Sequence, residues 1–280
     1  MTDSNVFSKI VDQYYKFTAS EKKVSDYIMT QRKNVQYMSI SELSEACNVA
    51  EATISRYCKT LGYKGYNAFK LAIANASEGE KHVSHINEDS SVVEIAKNRA
   101  NINIDVIKQT MSIMDSEKIQ KAAEILANSK KVLCMGQGAS AIIAEEAAHL
   151  FSMSFSNFYP VCESHMQMIA AAGMTQDDSV LYFSYSGSTR DLEDSFSVAK
   201  SRNAKVILVT RFPKSPVAMK ADVVLCCGSK ESPLQHGSVE ARISQLYLLD
   251  VLYHEMCLQN PEKAEEHKNN VAEAVALKHL

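Results

Sequence analysis

The spacing of apolar positions along this chain changes character at residue 131. Up to about residue 76 the period is helical, with apolar residues recurring three and four apart. It predicts helices near 5–17, 20–33, 40–47, 51–61 and 66–76. Thr18 with Glu21, and Ser39 with Glu42, have the spacing of capping boxes and mark two helix starts. Residues 77–90, SEGEKHVSHINEDS, are polar without periodicity and read as a linker. Residues 91–128 return to helix, with Val92, Ile95, Ala96, Ile102, Val106 and Ile107 on apolar faces. From Lys131 onward, short β-rich runs at 131–135, 157–161, 179–185, 205–210 and 222–227 alternate with segments of helical period at 139–152, 164–173, 188–203 and 215–220. That alternation predicts a parallel sheet with helices on both faces. The runs are apolar almost throughout, as strands buried on both sides are. Helices at 238–260 and 262–278 close the chain.

Within the helical part, residues 39–62 predict two short helices joined by a tight turn. Ile40, Leu43 and Cys47 share one face of the first. Asn48 sits where the chain must turn, and Asn tolerates the left-handed conformation. Ile54, Tyr57, Cys58 and Leu61 form the apolar stripe of the second, and Gly62 stops it. The opposite face offers Thr53, Ser55, Arg56 and Lys59, small or cationic hydrogen-bonders suited to a major groove. Small Ser44 stands where the two helices would cross. Lys64 and Lys70 follow as phosphate contacts. The bland alternative is an αα-hairpin with a solvated face. Against it, residues 18–76 carry eight Lys/Arg and five Asp/Glu, while the whole chain is −3. Ala50 is a poor residue for the expected N-cap position. Glu51 suits the helix dipole but would repel phosphate, so it is expected to face a base edge or solvent.

Length and composition narrow the class. The 280 residues suit two domains, and the near-neutral charge excludes a nonspecific cationic coat for nucleic acid. No apolar leader or run of about 18 apolar residues appears, so neither a signal peptide nor a membrane span is expected. Seven cysteines without a CxxC pair fit reduced thiols in cytoplasm. The histidines show no metal-ligand spacing, and no metal is expected.

In an open parallel sheet, ligands bind beyond the carboxyl ends of the strands. Two such ends are distinctive. The first strand runs into Gly136-Gln137-Gly138-Ala139-Ser140, and the third into Ser184-Tyr185-Ser186-Gly187-Ser188-Thr189. Each is a small-residue turn before a helix N-terminus, where backbone N–H groups and the dipole attract an anion. The first turn lacks the third glycine of a dinucleotide fingerprint, and no acidic residue ends the next strand. The lysine of a P-loop is also absent. No cofactor is therefore expected. Two hydroxyl-rich turns on one crevice fit a phosphate attached to a small polyol, with Gly138, Ser140, Ser184, Ser186, Gly187, Ser188 and Thr189 as its ligands. The alternative is that these hydroxyls merely cap two helices.

The second turn resembles the SxSGxT signature of sugar isomerase (SIS) domains, and the first resembles their first phosphate loop. With the helix-turn-helix ahead of them, the chain is similar to the RpiR/MurR family of bacterial transcription regulators. Ala52-Thr53-Ile54-Ser55-Arg56, Leu61-Gly62-Tyr63-Lys64-Gly65-Tyr66 and Ala241-Arg242-Ile243-Ser244-Gln245-Leu246 carry the same likeness. The resemblance implies an all-α helix-turn-helix domain followed by a three-layer α/β, flavodoxin-like SIS domain with a five-stranded parallel sheet. The expected bounds are 1–76, a linker at 77–90, and 91–280. It also implies a DNA operator and a sugar phosphate as partners, and a homo-oligomer, dimer or tetramer. Ala50 stands where Ser is usual in the family, and Ser188 where an acidic or other polar residue is common.

An aldose–ketose isomerase or lyase is the competing expectation. It would need a carboxylate base and a ring-opening group. The candidates are Glu240 and His236 at the start of the last long helix, and Glu163 and His165 after the second strand. Here Glu240 is read as a contact to a sugar hydroxyl, and no residue is read as catalytic.

Overall fold

The computed structural model describes residues 5–78, 90–228 and 238–277. They fall into two compact units that divide between Asn101 and Ile102. Most of the expected linker, and His236, lie outside the described residues.

The first unit is helical: α1 (Val6–Gln13), α2 (Ala19–Thr30), α3 (Arg32–Val35), α4 (Ile40–Ala46), α5 (Glu51–Thr60), α6 (Tyr66–Glu78) and the start of α7 (Val92–Ile113). Both expected capping boxes form. Thr18 and Ser39 accept from the N–H of Glu21 and Glu42, and each glutamate accepts from its cap residue's N–H in return. Helix α1 ends earlier than its period predicts, in a 3₁₀ turn at Tyr14–Lys16. The helix expected over 20–33 breaks at Gln31 and resumes as the single turn α3.

Helices α4 and α5 end alike. Asn48 (φ 51°) and Gly62 (φ 87°) adopt the left-handed conformation. The next N–H in each case reaches back five residues, Val49 to Ser44 O at 2.9 Å and Tyr63 to Cys58 O at 2.9 Å. These are Schellman motifs, which satisfy carbonyls at a helix end while turning the chain. The core of the unit gathers Ile10, Val24, Ile28, Leu43, Ile54, Phe69 and Ile73 around Tyr57. The Tyr57 ring lies 5.0 Å from that of Phe17 and 5.9 Å from that of Phe69. Its hydroxyl pairs with buried Ser25 Oγ at 2.9 Å, so the polar tip is satisfied inside the core.

The second unit is a three-layer α/β sandwich. Strands β1 (Val132–Gly136), β2 (Phe158–Val161), β3 (Ser179–Phe183), β4 (Lys205–Thr210) and β5 (Val223–Cys226) pair in parallel in the order β2-β1-β3-β4-β5. Between and around them run α8 (Ser116–Asn128), α9 (Ala139–Ser152), α10 (Ser164–Ala172), α11 (Arg190–Ser201), α12 (Val239–Gln259) and α13 (Pro261–Ala276). Strand residues alternate between two cores. Val132, Cys134, Leu181, Phe183, Ile207 and Val209 join residues of α8, α9 and α12. Leu133, Met135, Val180, Tyr182, Val206 and Leu208 join residues of α10 and α11. A period of two with both faces apolar is what makes each strand read as a continuous hydrophobic run.

Three expectations need correction here. The helical stretch at 91–128 is two helices, parted at Met114-Asp115, where Asp115 caps α8 by accepting from the Lys118 N–H. The segment 215–220 supplies only a 3₁₀ turn at Ala218–Lys220. The third strand stops at Phe183, because Ser184 and Tyr185 leave the ladder with β1 to begin a loop.

Candidate functional site

Two surfaces carry the chemistry anticipated from the sequence, one in each unit. In the first unit, α5 exposes Arg56 and Lys59 and half-exposes Ser55. Lys64 is exposed in the loop after it, and Lys70 is half-buried on α6. Thr53 is the exception. It is buried, so its placement on the open face is corrected. It lies one helical turn before Tyr57, at the margin of the buried stripe, and its hydroxyl is 3.5 Å from Arg56 Nη2. Ser44 is buried on α4, where a small side chain was anticipated.

Ala50 makes no side-chain cap to α5. Glu51 instead binds the previous helix, its carboxylate accepting from the Ser41 hydroxyl at 2.5 Å. That bond accounts for a glutamate at the head of a cationic helix. Its charge is partly spent on a donor across the turn, and it ties α4 to α5.

In the second unit, β1 and β3 are neighbours, and the strand order reverses between them. Gly136 pairs with Phe183, so both loops leave the sheet at the same level. In doubly wound sheets this reversal opens the ligand crevice. A Cβ on Gly136 would lie 2.4 Å from Ser140 O, so only glycine lets the first loop fold this tightly onto α9. Gly138, the N-cap residue of α9, is exposed with φ 56°. Ser140 is half-buried in the first turn of α9. In the second loop Ser184 is buried, and its Oγ accepts from the Gly187 N–H at 3.2 Å, which fixes the turn. Ser186 is half-buried, while Ser188 and Thr189 are exposed. Thr189 is the N-cap residue of α11, yet its side chain makes no cap bond. The capping alternative thus fails for Thr189, while Ser184 serves the loop backbone.

Sequence reasoning missed the groups behind these loops. Thr210, the last residue of β4, and Ser215 after it pack against Gly187, where a Cβ would meet Ser215 Oγ at 2.3 Å. Gln137, in the first loop, donates to Gln167 Oε1 at 2.7 Å. Gln167 lies in a stretch of apolar and polar residues on α10 whose pattern alone gave no reason to single it out.

The candidate bases divide. Glu163 caps α10, accepting from the N–H groups of His165 (3.0 Å) and Met166 (2.9 Å). These bonds hold its carboxyl below the usual carboxylate range, the opposite of what a general base needs. His165 is exposed, and Glu240 is half-buried in the first turn of α12. Burial pushes the thiols of Cys47 and Cys162 up to about 11 and those of Cys58 and Cys227 to about 12, so none of these four is a thiolate nucleophile at neutral pH. Among the described residues no metal-holding cluster occurs, and no helix is long and apolar enough to cross a membrane.

Comparison with known proteins agrees with this division into two units. Residues 4–79 match the family model of the helix-turn-helix domain, rpiR family, and residues 125–255 match that of the SIS domain. An uncharacterized HTH-type transcriptional regulator of Caldanaerobacter subterraneus subsp. tengcongensis is 30% identical over 282 residues, covering 100% of this chain and 99% of the relative. The HTH-type transcriptional regulator RpiR of Escherichia coli K12 is 27% identical, covering 88% and 84% respectively. Among solved structures, the Vibrio vulnificus NanR protein complexed with ManNAc-6P superposes with a TM-score of 0.86. It covers 97% of this chain and 98% of NanR at 24% identity, a likeness of fold.

Proposed function

This chain belongs to the rpiR family of helix-turn-helix transcriptional regulators with a SIS domain, and from that membership we propose a cytoplasmic regulator of carbohydrate metabolism that senses a sugar phosphate. Residues 1–76 bind the DNA operator and residues 91–280 sense the effector. Ser55, Arg56 and Lys59 approach bases or adjacent phosphates, and Lys64 and Lys70 the backbone. The protein acts as a homo-oligomer, dimer or tetramer, and catalyses no reaction.

One observation carries the sensing role. Two loops leave adjacent strands at the reversal of strand order, each passing a glycine of positive φ (Gly138 and Gly187) into a helix whose N-cap residue offers no side-chain cap. Helix N-termini left in this way are suited to an anion, and Ser140, Ser186, Ser188 and Thr189 add hydroxyl donors. NanR, similar in fold, was solved with a sugar phosphate. Glu240 contacts a sugar hydroxyl. With Glu163 committed to capping α10, Glu240 is the carboxylate candidate left among the described residues for an isomerase's base, and turnover abolished by Glu240→Gln would favour that second reading.

The test is a thermal-shift panel of hexose, pentose and amino-sugar phosphates, each beside its unphosphorylated sugar. Saturation to one hundred times Kd stabilises by about 2.7 kcal/mol, or roughly 5–10 °C for a domain of this size. The expected result is stabilisation by a phosphorylated sugar only, lost in a Ser186→Ala, Thr189→Ala double variant. A double variant with the full shift would overturn the phosphate assignment.

A further inference from the structure

Beneath the first loop lies a polar cluster that neither phosphate binding nor strand pairing requires. Gln167, on α10, is fully buried. Its Nε2 donates to Gly136 O at 2.9 Å and to Val161 O at 2.8 Å. Its Oε1 accepts from Gln137 Nε2 at 2.7 Å and from the Tyr182 hydroxyl at 3.0 Å. The two carbonyls can only accept, so they fix which way the amide points. One side chain thereby reaches the ends of β1 and β2, the next-to-last residue of β3 and the first loop, with two donors and two acceptor sites filled. In a low-dielectric interior such a network is rigid when complete and costly when broken.

The outer side of the same helix differs. Met166 and Ile169 are 51% and 63% exposed, and His165 is exposed between the cap Glu163 and the buried Gln167. A short helix thus meets the crevice loop with its inner face and turns an apolar face outward. Gly136 joins the cluster through its backbone carbonyl at the end of β1, and Gln137 contributes the loop's side chain, so movement of the loop beyond the strand reaches α10 through the Gln137–Gln167 bond.

We propose that Gln167 and Tyr182 are positioning residues that set the loop at 136–140 for phosphate and couple its occupancy to helix α10. The proposal rests on the phosphate reading of the crevice. Phosphate drawn to the N-terminus of α9 orders the loop, the loop fixes Gln137, and Gln137 fixes Gln167 and its helix. The signal leaves the crevice through α10, on the side where the apolar face is.

Hydrogen exchange on the full chain tests this, with inorganic phosphate compared against chloride at matched ionic strength. In the wild type, phosphate should slow exchange in the loops at 136–140 and 186–190 and also along 164–172. In Tyr182→Phe, which keeps the ring and removes the 3.0 Å bond to Gln167 together with a long 3.5 Å contact from Ser195 Oγ on α11, phosphate affinity should fall about threefold to tenfold, the range of one neutral hydrogen bond. The response of 164–172 should be lost at phosphate concentrations that still protect the loops. Gln137→Ala, at a half-buried position, should decouple 164–172 in the same way. A residue of merely structural importance would lower the melting temperature and leave the phosphate-dependent difference on α10 intact. Loops protected in the wild type with 164–172 unchanged would overturn the proposal. So would a Tyr182→Phe protein with wild-type affinity and α10 response. Loops unprotected in the wild type would overturn the phosphate reading itself, and the proposal with it.

Discussion

At the scale of single residues, Gly187 is the most constrained position of the candidate crevice. Its φ of 61° already favours glycine, and a Cβ there would stand 2.3 Å from Ser215 Oγ and 3.1 Å from Thr210 Oγ1. Its N–H is held by Ser184 Oγ. A Gly187→Ala variant must take on the left-handed penalty of about 1–2 kcal/mol and also push the segment after β4 aside. It should melt several degrees lower and lose stabilisation by whichever sugar phosphate stabilises the wild type. A Gly187→Ala protein with unchanged effector titration would show that the turn is not part of the binding surface. The glycine and hydroxyls of this loop were legible in the sequence because each local residue type carries its own conformational meaning. Thr210 and Ser215 were not, because their role exists only once β4 lies beside β3. Thr53 shows the same limit from the other side. The apolar stripe of α5 was correct, but its margin is set by what packs against Tyr57, and no periodicity reports that. The Glu51–Ser41 bond was equally invisible, since it joins two helices across a turn.

At the scale of elements, start and stop signals were more legible than lengths. Ser39-x-x-Glu42 and Thr18-x-x-Glu21 formed the expected boxes, and Asn48 and Gly62 ended their helices in the left-handed conformation. The break at Asp115 had a signal too, an Asp at a good N-cap position, which continuous helical periodicity on either side concealed. The strands were found because all are parallel and several are buried on both faces. Their ends were less certain, because a strand ends where its partner's hydrogen bonds stop. Helix α5 has a buried stripe of Ile54, Tyr57, Cys58 and Leu61, so its exposed cations are held on a rigid support. Arg56 is central to that exposed side, with Lys59 one turn on. Replacing Arg56 by Ala should weaken operator binding by about 1–3 kcal/mol if it contacts a guanine edge. If it contacts a phosphate, the slope of log affinity against log salt should fall by about one instead. Gel-shift titrations across salt concentrations separate these outcomes, and effector-induced thermal stabilisation should be untouched in both. Loss of effector binding together with operator binding would refute the division of labour between the two units.

For the molecule as a whole, the proposed sensing crevice must act on the proposed DNA-reading helix. A single helix-turn-helix reads a half-site, and two heads at fixed spacing read an operator. The homo-oligomer proposed above has a candidate contact face in the second unit. Helices α9 and α10 flank the edge strand β2, and the three expose Ile142, Met166, Ile169 and Tyr159. Exposed apolar residues grouped around one sheet edge mark an interaction surface more often than scattered ones do. A second copy of this chain, meeting the first through the same face, would bury that group under twofold symmetry. Ile169 is the most exposed of the four, and Ile169→Asp would place a charge in that contact while leaving Gln167 and the core behind α10 unchanged. In sedimentation experiments the wild type should run above its protomer mass of 31.0 kDa, and Ile169→Asp should move toward it. Operator affinity should fall with the mass, because a lone head loses the effective concentration that a tethered pair provides. Affinity for a single half-site should stay the same. An Ile169→Asp protein with wild-type mass would place the self-association surface elsewhere. One that becomes monomeric yet keeps full operator affinity would show that the pairing of DNA heads does not depend on this face.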